Sequence, residues 1–550
     1  MPVHSNQERN TVISDPDLSP STPGQSSGRI VRPVSGLFIG ALLLATVVVF
    51  LSLIPKPEND LFFELRIGTD ILNSHHLPNV DVYSWTNRGI RWDVPEWLSF
   101  VIYALAYRHD GFFGVWLVMV SMTVLTVWIV WLTLAPRLGL TWAFLLTNLM
   151  ALALSDYIQE RPYIYTYLFL ALSLSIVLRA REGRPRLLIW LVPICIVWTN
   201  LHQGVLVLVC LIAAFTVGDF LSGLRDSAAR SRAVRMLAST VACAVASMAT
   251  PYGWRVYWNV YITLRDRVMM SNVTEWNSIA VVPLPQLAPF LFIAVITIVA
   301  LAVSRKRTLA DILVLAALLI ESVLHARNSA LFAVAAVVVG APHFEAVAAG
   351  LRRFVGDTGG RSLVRNAAVG FVGALYLAAV AAVGVASLKP AIGPLGYSRE
   401  GIGEAVARIP SYPSAAVDFV LTSGLPSDMR LFNNFSIGGY LMWMLPTEPD
   451  FVDGRLDVFS GRTFDNMLVI DHQCGSKAWV DLVRSYDFDC AITTTRRVAV
   501  ALAAQPDWVV IYADVPRPHH ARCVILLRRR PQFAALIAQY GRRESSLGSD

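Results

Sequence analysis

Charge is what this sequence has least of. Only 15% of its 550 residues are Asp, Glu, Lys or Arg, against 55% hydrophobic ones, and the mean hydropathy is +0.53. A chain of this size with so few charges does not read as a soluble globular protein. Cysteine is scarce too. Cys195, Cys210 and Cys243 fall in apolar runs, and Cys474, Cys490 and Cys523 in the more polar C-terminal part. The last three allow at most one disulfide among themselves, and no spacing matches a zinc site. Internal repeats are missing. Ionisable residues are nearly absent from the middles of the apolar runs, which argues against an ion-coupled transporter, whose charges sit near the bilayer midplane.

What is there is a series of apolar runs at about 34–55, 113–134, 140–156, 162–178, 187–202, 204–222, 234–250, 284–303, 308–325, 329–345 and 366–388, with a shorter piece at 97–107. Runs approaching ~18 residues with few charges read as membrane spans. No small-residue cleavage site follows the first run, so it reads as a retained anchor. The polar, Ser- and Pro-rich residues 1–33 read as a disordered cytoplasmic tail. The net charge of +7 does not point to nucleic acid, because the arginines crowd between spans. The loops at 179–186, 225–235, 305–307 and 352–365 are expected on the cytoplasmic side. Residues 56–96 carry seven acids against four bases and are expected outside. The expectation is a multi-pass protein of the inner (plasma) membrane with eleven to thirteen spans, its N-terminus inside and its C-terminus outside.

Residues 389–550 change character. Stretches 429–435, 450–457, 488–495, 508–514 and 523–529 read as strands, and "GGYLMWML", "SKAWVDLVRSY" and "RRVAVALAAQ" as helices. This alternation predicts a small extracytoplasmic α/β domain. The fold class expected is therefore mainly α: a helical membrane domain at 34–388 followed by that domain.

Polar residues with chemistry gather at the outer ends of the spans. In "PENDLFFELRIG", Glu58 and Asp60 lie two apart, so on an extended segment they face the same way. Such carboxylates suit a general base, or oxygen ligands for a divalent cation such as Mg2+ or Mn2+. "LPNVDVYSWTNRGIRWDVPEWLSF" adds Asp81, Trp92, Glu96 and Trp97, as an interfacial aromatic belt or as a stacking wall for a sugar. His202 closes a span, Tyr252 sits in the turn "TPYGW", and Trp276 in "TEWNS". Arg327 and Asn328 lie between two span ends, where Arg327 could meet a phosphate or neutralise Glu321. In "FVDGRLD", Asp453 and Arg455 read first as a turn held by an Asp–Arg pair.

In combination these stretches resemble GT-C-type, polyprenyl-phosphate-sugar-dependent membrane glycosyltransferases, in particular a bacterial branch. Its first outer loop reads D-x-D-x-W-W-H-x-x-x-G, then P-x-x-D-x-x-S-x-T, then W-x-x-x-E-W-L. Here Glu58 and Asp60 stand for the two acids, Phe62 and Phe63 for the tryptophans, and Glu64 for the histidine. Pro78, Asp81, Ser84 and Thr86 match the second part, and Trp92, Glu96, Trp97 and Leu98 the third. "ERPYIYTYLFLAL", "WTNLHQGVLV", "TPYGWRVY", "TEWNS", "FNNFSIGGYLMW" and "FVDGRLDVF" resemble further motifs of that branch. The resemblance implies a helix bundle with an outer-face cavity and transfer of a sugar from a lipid-linked donor. It implies Asp60 as the base, with Glu58 and Glu96 beside it, and Arg327 toward the donor phosphate. Glu64, Asp81, Trp92, Trp97, His202, Tyr252, Trp276, Asn328, Asp453 and Arg455 would complete the substrate site. The rival readings are a non-catalytic glycan- or lipid-binding membrane protein and a lipid-linked glycan polymerase or ligase.

Overall fold

The computed structural model describes residues 40, 44–49, 51, 52, 59–356, 400, 412–427, 429–459, 461–514 and 522–542. The tail 1–33, most of the run 34–55, Glu58, the run 366–388 and nearly all of 389–411 lie outside these residues. Within them, each apolar run is a helix. The segment expected to be the first outer loop carries α1 (Asp60–Ser74), followed by α2 (Trp97–Leu138), α3 (Leu140–Leu154), α4 (Tyr163–Arg181), α5 (Leu191–Leu201), α6 (Val205–Gly223) and α7 (Ser227–Ala246). Next come α8 (Arg255–Arg265), α9 (Leu284–Val303), α10 (Leu309–Leu324), α11 (Asn328–Val339) and α12 (Ala341–Gly356).

Among the described residues, α2, α4, α6 and α9 are each long and apolar enough to cross a membrane, and a bent α11–α12 pair would make five. The other runs give helices that are shorter, such as α3 and α10, or charged, such as α7 with Arg230, Arg232 and Arg235 in its first half. The piece 97–107 is the start of the 42-residue α2, which breaks at Asp110 and Gly111; the break rests on a positive φ of 57° at Gly111. The molecule is a mainly helical, polytopic membrane protein with a small sheet-containing region at its C-terminal end.

Two polar layers bracket the bundle. At one end Arg181 binds Asp219 and Thr308, Arg232 approaches Asp219 at 3.5 Å, and Arg137 pairs with Glu182. At the other end lies Arg161, two residues before α4. The twenty residues between Arg161 and Arg181 rise ~30 Å at 1.5 Å each, the thickness of a bilayer's hydrocarbon core.

From Asp60 onward the chain is helical, so the extended geometry considered for Glu58 and Asp60 does not continue past Asp60. Leu61, Leu65 and other buried apolar residues recur at helical spacing, and tertiary packing holds them as α1. This packing explains the two phenylalanines. Phe62 meets Tyr412 at 4.8 Å and Tyr440 at 5.1 Å, both edge-on, while Phe63 meets Phe100 of α2 at 6.1 Å. Gly68 permits the close approach of α1 to α2, since a Cβ there would lie 2.1 Å from the Phe100 carbonyl oxygen. Thus α1 is wedged between α2 and the C-terminal region.

That region carries a four-stranded sheet: β1 (Leu431–Asn433), β2 (Cys490–Thr493), β3 (Trp508–Ala513) and β4 (Val524–Arg528), in the order β1-β2-β4-β3. β1 runs parallel to β2, and β4 antiparallel to both its neighbours. The three expected helices appear at Phe435–Met444, Lys477–Tyr486 and Arg496–Ala503. All six cysteines are free. One expected strand is not one. Residues 450–455 form a buried loop, because the Asn433 side chain takes their backbone: Phe451 N–H donates to Oδ1 at 2.8 Å and Nδ2 donates to the Val452 carbonyl at 2.7 Å.

The same loop carries an ion cluster that docks the C-terminal region onto residues 81–92. Arg455, 2% exposed, donates from Nε and Nη2 to Asp453 at 2.6–2.9 Å and from Nη1 to Asp81 at 2.7 Å. Tyr83 and Trp92 face its guanidinium at 5.1 and 4.8 Å. Burial, and then Asp453, push Asp450 well above the usual carboxylate range. We predict that Arg455→Met, which removes the cation but keeps the stem, costs about 3–5 kcal/mol at neutral pH. Thermal unfolding in detergent measures this.

Candidate active site

Five helices begin at one place. Asp60 is the first residue of α1, Glu96 precedes α2, Arg161 lies two before α4, His202 three before α6, and Arg327 precedes α11. Helix N-termini carry partial positive charge from unpaired N–H groups. The sequence folds this way because each polar residue punctuates an apolar run, so successive helices turn around at one polar layer.

Asp60 accepts from the Arg161 Nη2, and Arg161 Nη1 donates to Glu275. The second Glu275 oxygen lies 3.6 Å from Arg327 Nη1. Arg327 in turn sits over the Trp276 ring at 4.7 Å and near Tyr163 at 5.9 Å. A chain of contacts thus runs from Asp60 to Arg327 across four segments of the sequence. Arg327 meets Glu275 rather than Glu321, which pairs instead with His325 at 3.2 Å. Gly454 makes room for Asp60: a Cβ there would fall 2.2 Å from Asp60 Oδ1. Burial raises the Asp60 carboxyl above its usual range against the pull of Arg161, with Glu275 and Asp453 adding to the rise. For Glu275 burial acts upward too, yet Arg161 and Arg327 hold it below the usual range.

Beside this chain stands a second acid. Glu96 Oε1 lies 3.4 Å from His202 Nε2. The Gly204 N–H donates to His202 Nδ1 at 2.9 Å, with Thr166 Oγ1 2.7 Å from the same atom. Nδ1 is therefore an acceptor, and in the neutral ring the hydrogen sits on Nε2, toward Glu96. Desolvation pushes the Glu96 carboxyl up to about 8; Asp457 and Asp60 add to this while Arg161 and Arg327 oppose it. Desolvation, then Arg327 and Arg161, lower His202 to about 3. At neutral pH Glu96 keeps its carboxyl proton, His202 is the neutral Nε2–H tautomer, and the pair carries no charge.

The remaining predicted residues divide. Trp97 Nε1 donates to Asn200 Oδ1 at 2.9 Å, tying the first loop to the end of α5, and Trp276 stacks on Arg327. Trp92 Nε1 donates to Asp457 at 2.8 Å, and Tyr252 packs on the same apolar cluster. Asn328 starts α11, half-buried. Glu64 is buried one turn beyond Asp60. Asp81, Asp453 and Arg455 are committed to one another in the docking cluster, facing each other instead of open space. Two members of the chain, Arg161 and Glu275, are not among the residues that sequence reasoning nominated. The signal was present: "ERPY" puts an arginine and a proline directly before a span, and "TEW" puts an acid beside a nominated tryptophan.

No protein-family model matches the chain, and no curated protein sequence matches it. Solved structures do. The crystal structure of the Archaeoglobus fulgidus oligosaccharyltransferase tethered with an acceptor peptide containing the NVT sequon superposes with a TM-score of 0.57 at 12% identity, covering 89% of this chain and 73% of that one. The apo form of that protein gives 0.54 over 90% and 74%, and its complex with Zn and sulfate gives 0.51 over 89% and 72%. The chain shares the overall fold of that oligosaccharyltransferase. As to a metal, the described residues contain no group of three or more His, Cys, Asp or Glu arranged to hold an ion. The guanidinium of Arg161 lies between Asp60 and Glu275, so these carboxylates do not fit a divalent cation as arranged.

The Glu96–His202 pair has a measurable consequence. Between pH 6.5 and about 8 the folded chain keeps a proton on Glu96 that the unfolded chain, with its ordinary value of 4.5, has lost. Stability should therefore fall as pH rises through that window, by at most about 1.4 kcal/mol per pH unit because Glu96 keeps some solvent contact. Between 4.5 and 6.5 the opposite shift of His202 cancels the slope. Thermal unfolding across pH 6–9 should show the decline in the wild type and a flat profile in Glu96→Gln.

Proposed function

We propose that the protein is a membrane glycosyltransferase of the GT-C type. It moves a sugar from a polyprenyl-phosphate donor to an acceptor on the extracytoplasmic face, in the bacterial branch that its motifs resemble. The observation that carries this reading is the chain Asp60–Arg161–Glu275–Arg327, which sets a half-buried carboxylate and an arginine into one layer at five helix N-termini. The fold shared with the archaeal oligosaccharyltransferase supports it.

In this reading Asp60 is the general base. A desolvated carboxylate with a raised affinity for protons takes one from the acceptor hydroxyl as that oxygen attacks the anomeric carbon. The new C–O bond forms as the bond from the anomeric carbon to the phosphate oxygen breaks, with inversion, and the proton ends on Asp60. Polyprenyl phosphate leaves with the electron pair. Arg327 has guanidinium N–H groups beyond the one facing Glu275, and it meets the growing negative charge together with the helix N-termini. Neutral Glu96 and His202 add hydrogen-bond donors without adding charge. Trp276 holds Arg327 flat by cation–π contact. The C-terminal region, docked by Arg455, closes over α1 and excludes water from Asp60.

Asp60→Asn keeps the shape and removes the base. In a deletion strain complemented at equal membrane levels, it should leave the lipid-linked donor pool and the glycan profile as in the deletion, a loss on the order of 10²-fold or more. Full complementation by Asp60→Asn would overturn the role of Asp60 and favour a non-catalytic glycan-binding protein.

A further inference from the structure

The sequence suggests a divalent cation at the carboxylates of the first outer loop, and the geometry supplies a different cation. One guanidinium donates from Nη2 to Asp60 and from Nη1 to Glu275, joining residues 101 and 114 positions away in the chain. That is the place a metal takes between two carboxylates: a point of positive charge meeting one oxygen from each side. The remaining Glu275 oxygen is answered by Arg327 at 3.6 Å. Within this chain of contacts two guanidinium groups answer two carboxylates. Arg161 is also only partly exposed, at 23% of its side chain, and stands against the Tyr163 ring at 5.6 Å. It is fixed at the base of α4 rather than swinging from a loop.

We infer that Arg161 occupies, between Asp60 and Glu275, the position of a divalent cation, so that the site takes its fixed positive charge from the chain itself. Arg161 is in this view a positioning residue. It orients the Asp60 carboxylate through one N–H group and anchors the turn at 274–276, and with it Trp276 and Arg327, through the other. The inference goes beyond the transfer reading, and its test does not use the transfer reaction, so either can fail alone.

The test is Mn2+ binding by full-length, chelator-treated protein in detergent, read from the loss of the free-ion electron paramagnetic resonance signal. The wild type should leave the signal unchanged. Arg161→Met, which keeps the apolar stem, strands two carboxylates and should take up about one Mn2+ per chain. The double variant Arg161→Met with Asp60→Asn should lose that uptake, and Arg161→Lys, which restores a cation, should stay free of Mn2+. A purely packing role for Arg161 would not separate Lys from Met in this way. Two results overturn the inference: one equivalent bound by the wild type and lost in Asp60→Asn, or a folded Arg161→Met that binds none. The first can be measured even if every Arg161 variant misfolds.

Discussion

The contact on which the site depends is the double ion pair of Arg161 with Asp60 and Glu275. It lies where the start of α1, the start of α4 and the turn before α9 meet. An arginine suits the task better than a lysine, since its planar fork offers separate N–H groups to two acids at fixed angles. Taking three charged groups out of water is costly, and it is tolerated because each finds an opposite charge and a hydrogen bond. The pair therefore fixes a geometry more than it adds stability.

A second ion cluster, around Arg455, performs a different task at the same interface. Asp81, Asp453 and Arg455 are almost wholly buried and bond to one another, under Tyr83 and Trp92. They bind the C-terminal region to residues 81–92, and the same loop of backbone brings Gly454 against Asp60. The two clusters are thus joined by a single residue step, from Arg455 to Gly454. The glycine is needed for lack of space rather than for backbone freedom. Docking and site geometry are in this way one arrangement.

The Glu96–His202 pair shows how burial changes the meaning of a residue type. On the sequence, an acid and a histidine near span ends read as charged groups. In the fold both are desolvated, and each moves toward its neutral form, the carboxyl upward and the imidazole downward. Together they present polar hydrogens with no net charge beside the Asp60–Arg161–Glu275–Arg327 chain. A substrate bearing phosphate would meet positive helix ends and Arg327 there, and no competing anion from Glu96.

Much of the fold was legible. Among the described residues, apolar runs became helices near the expected bounds, with the pieces 97–107 and 113–134 joined in α2, because in a membrane every backbone group must be paired within its own segment and length and hydropathy decide the outcome. Four of the five expected strands formed, since alternation of side chains is a local property, whereas 450–457 did not, since Asn433 captured its backbone from a distance. The candidate site was legible as a list of polar residues at span ends, with Asp60 and Arg327 among them. Which of them touch was not. Arg161 and Glu275 went unnominated, since a lone arginine or acid beside a span has a dozen innocent uses and only spatial neighbours assign one. By itself the sequence determined where the chain must be apolar and where it must turn, because those depend on transfer from water residue by residue. The tertiary structure alone decided that α1 is a helix, that Arg161 stands between two acids, and that Arg455 belongs to docking, because those depend on which charges, far apart in the chain, share a space too dry to leave any of them alone.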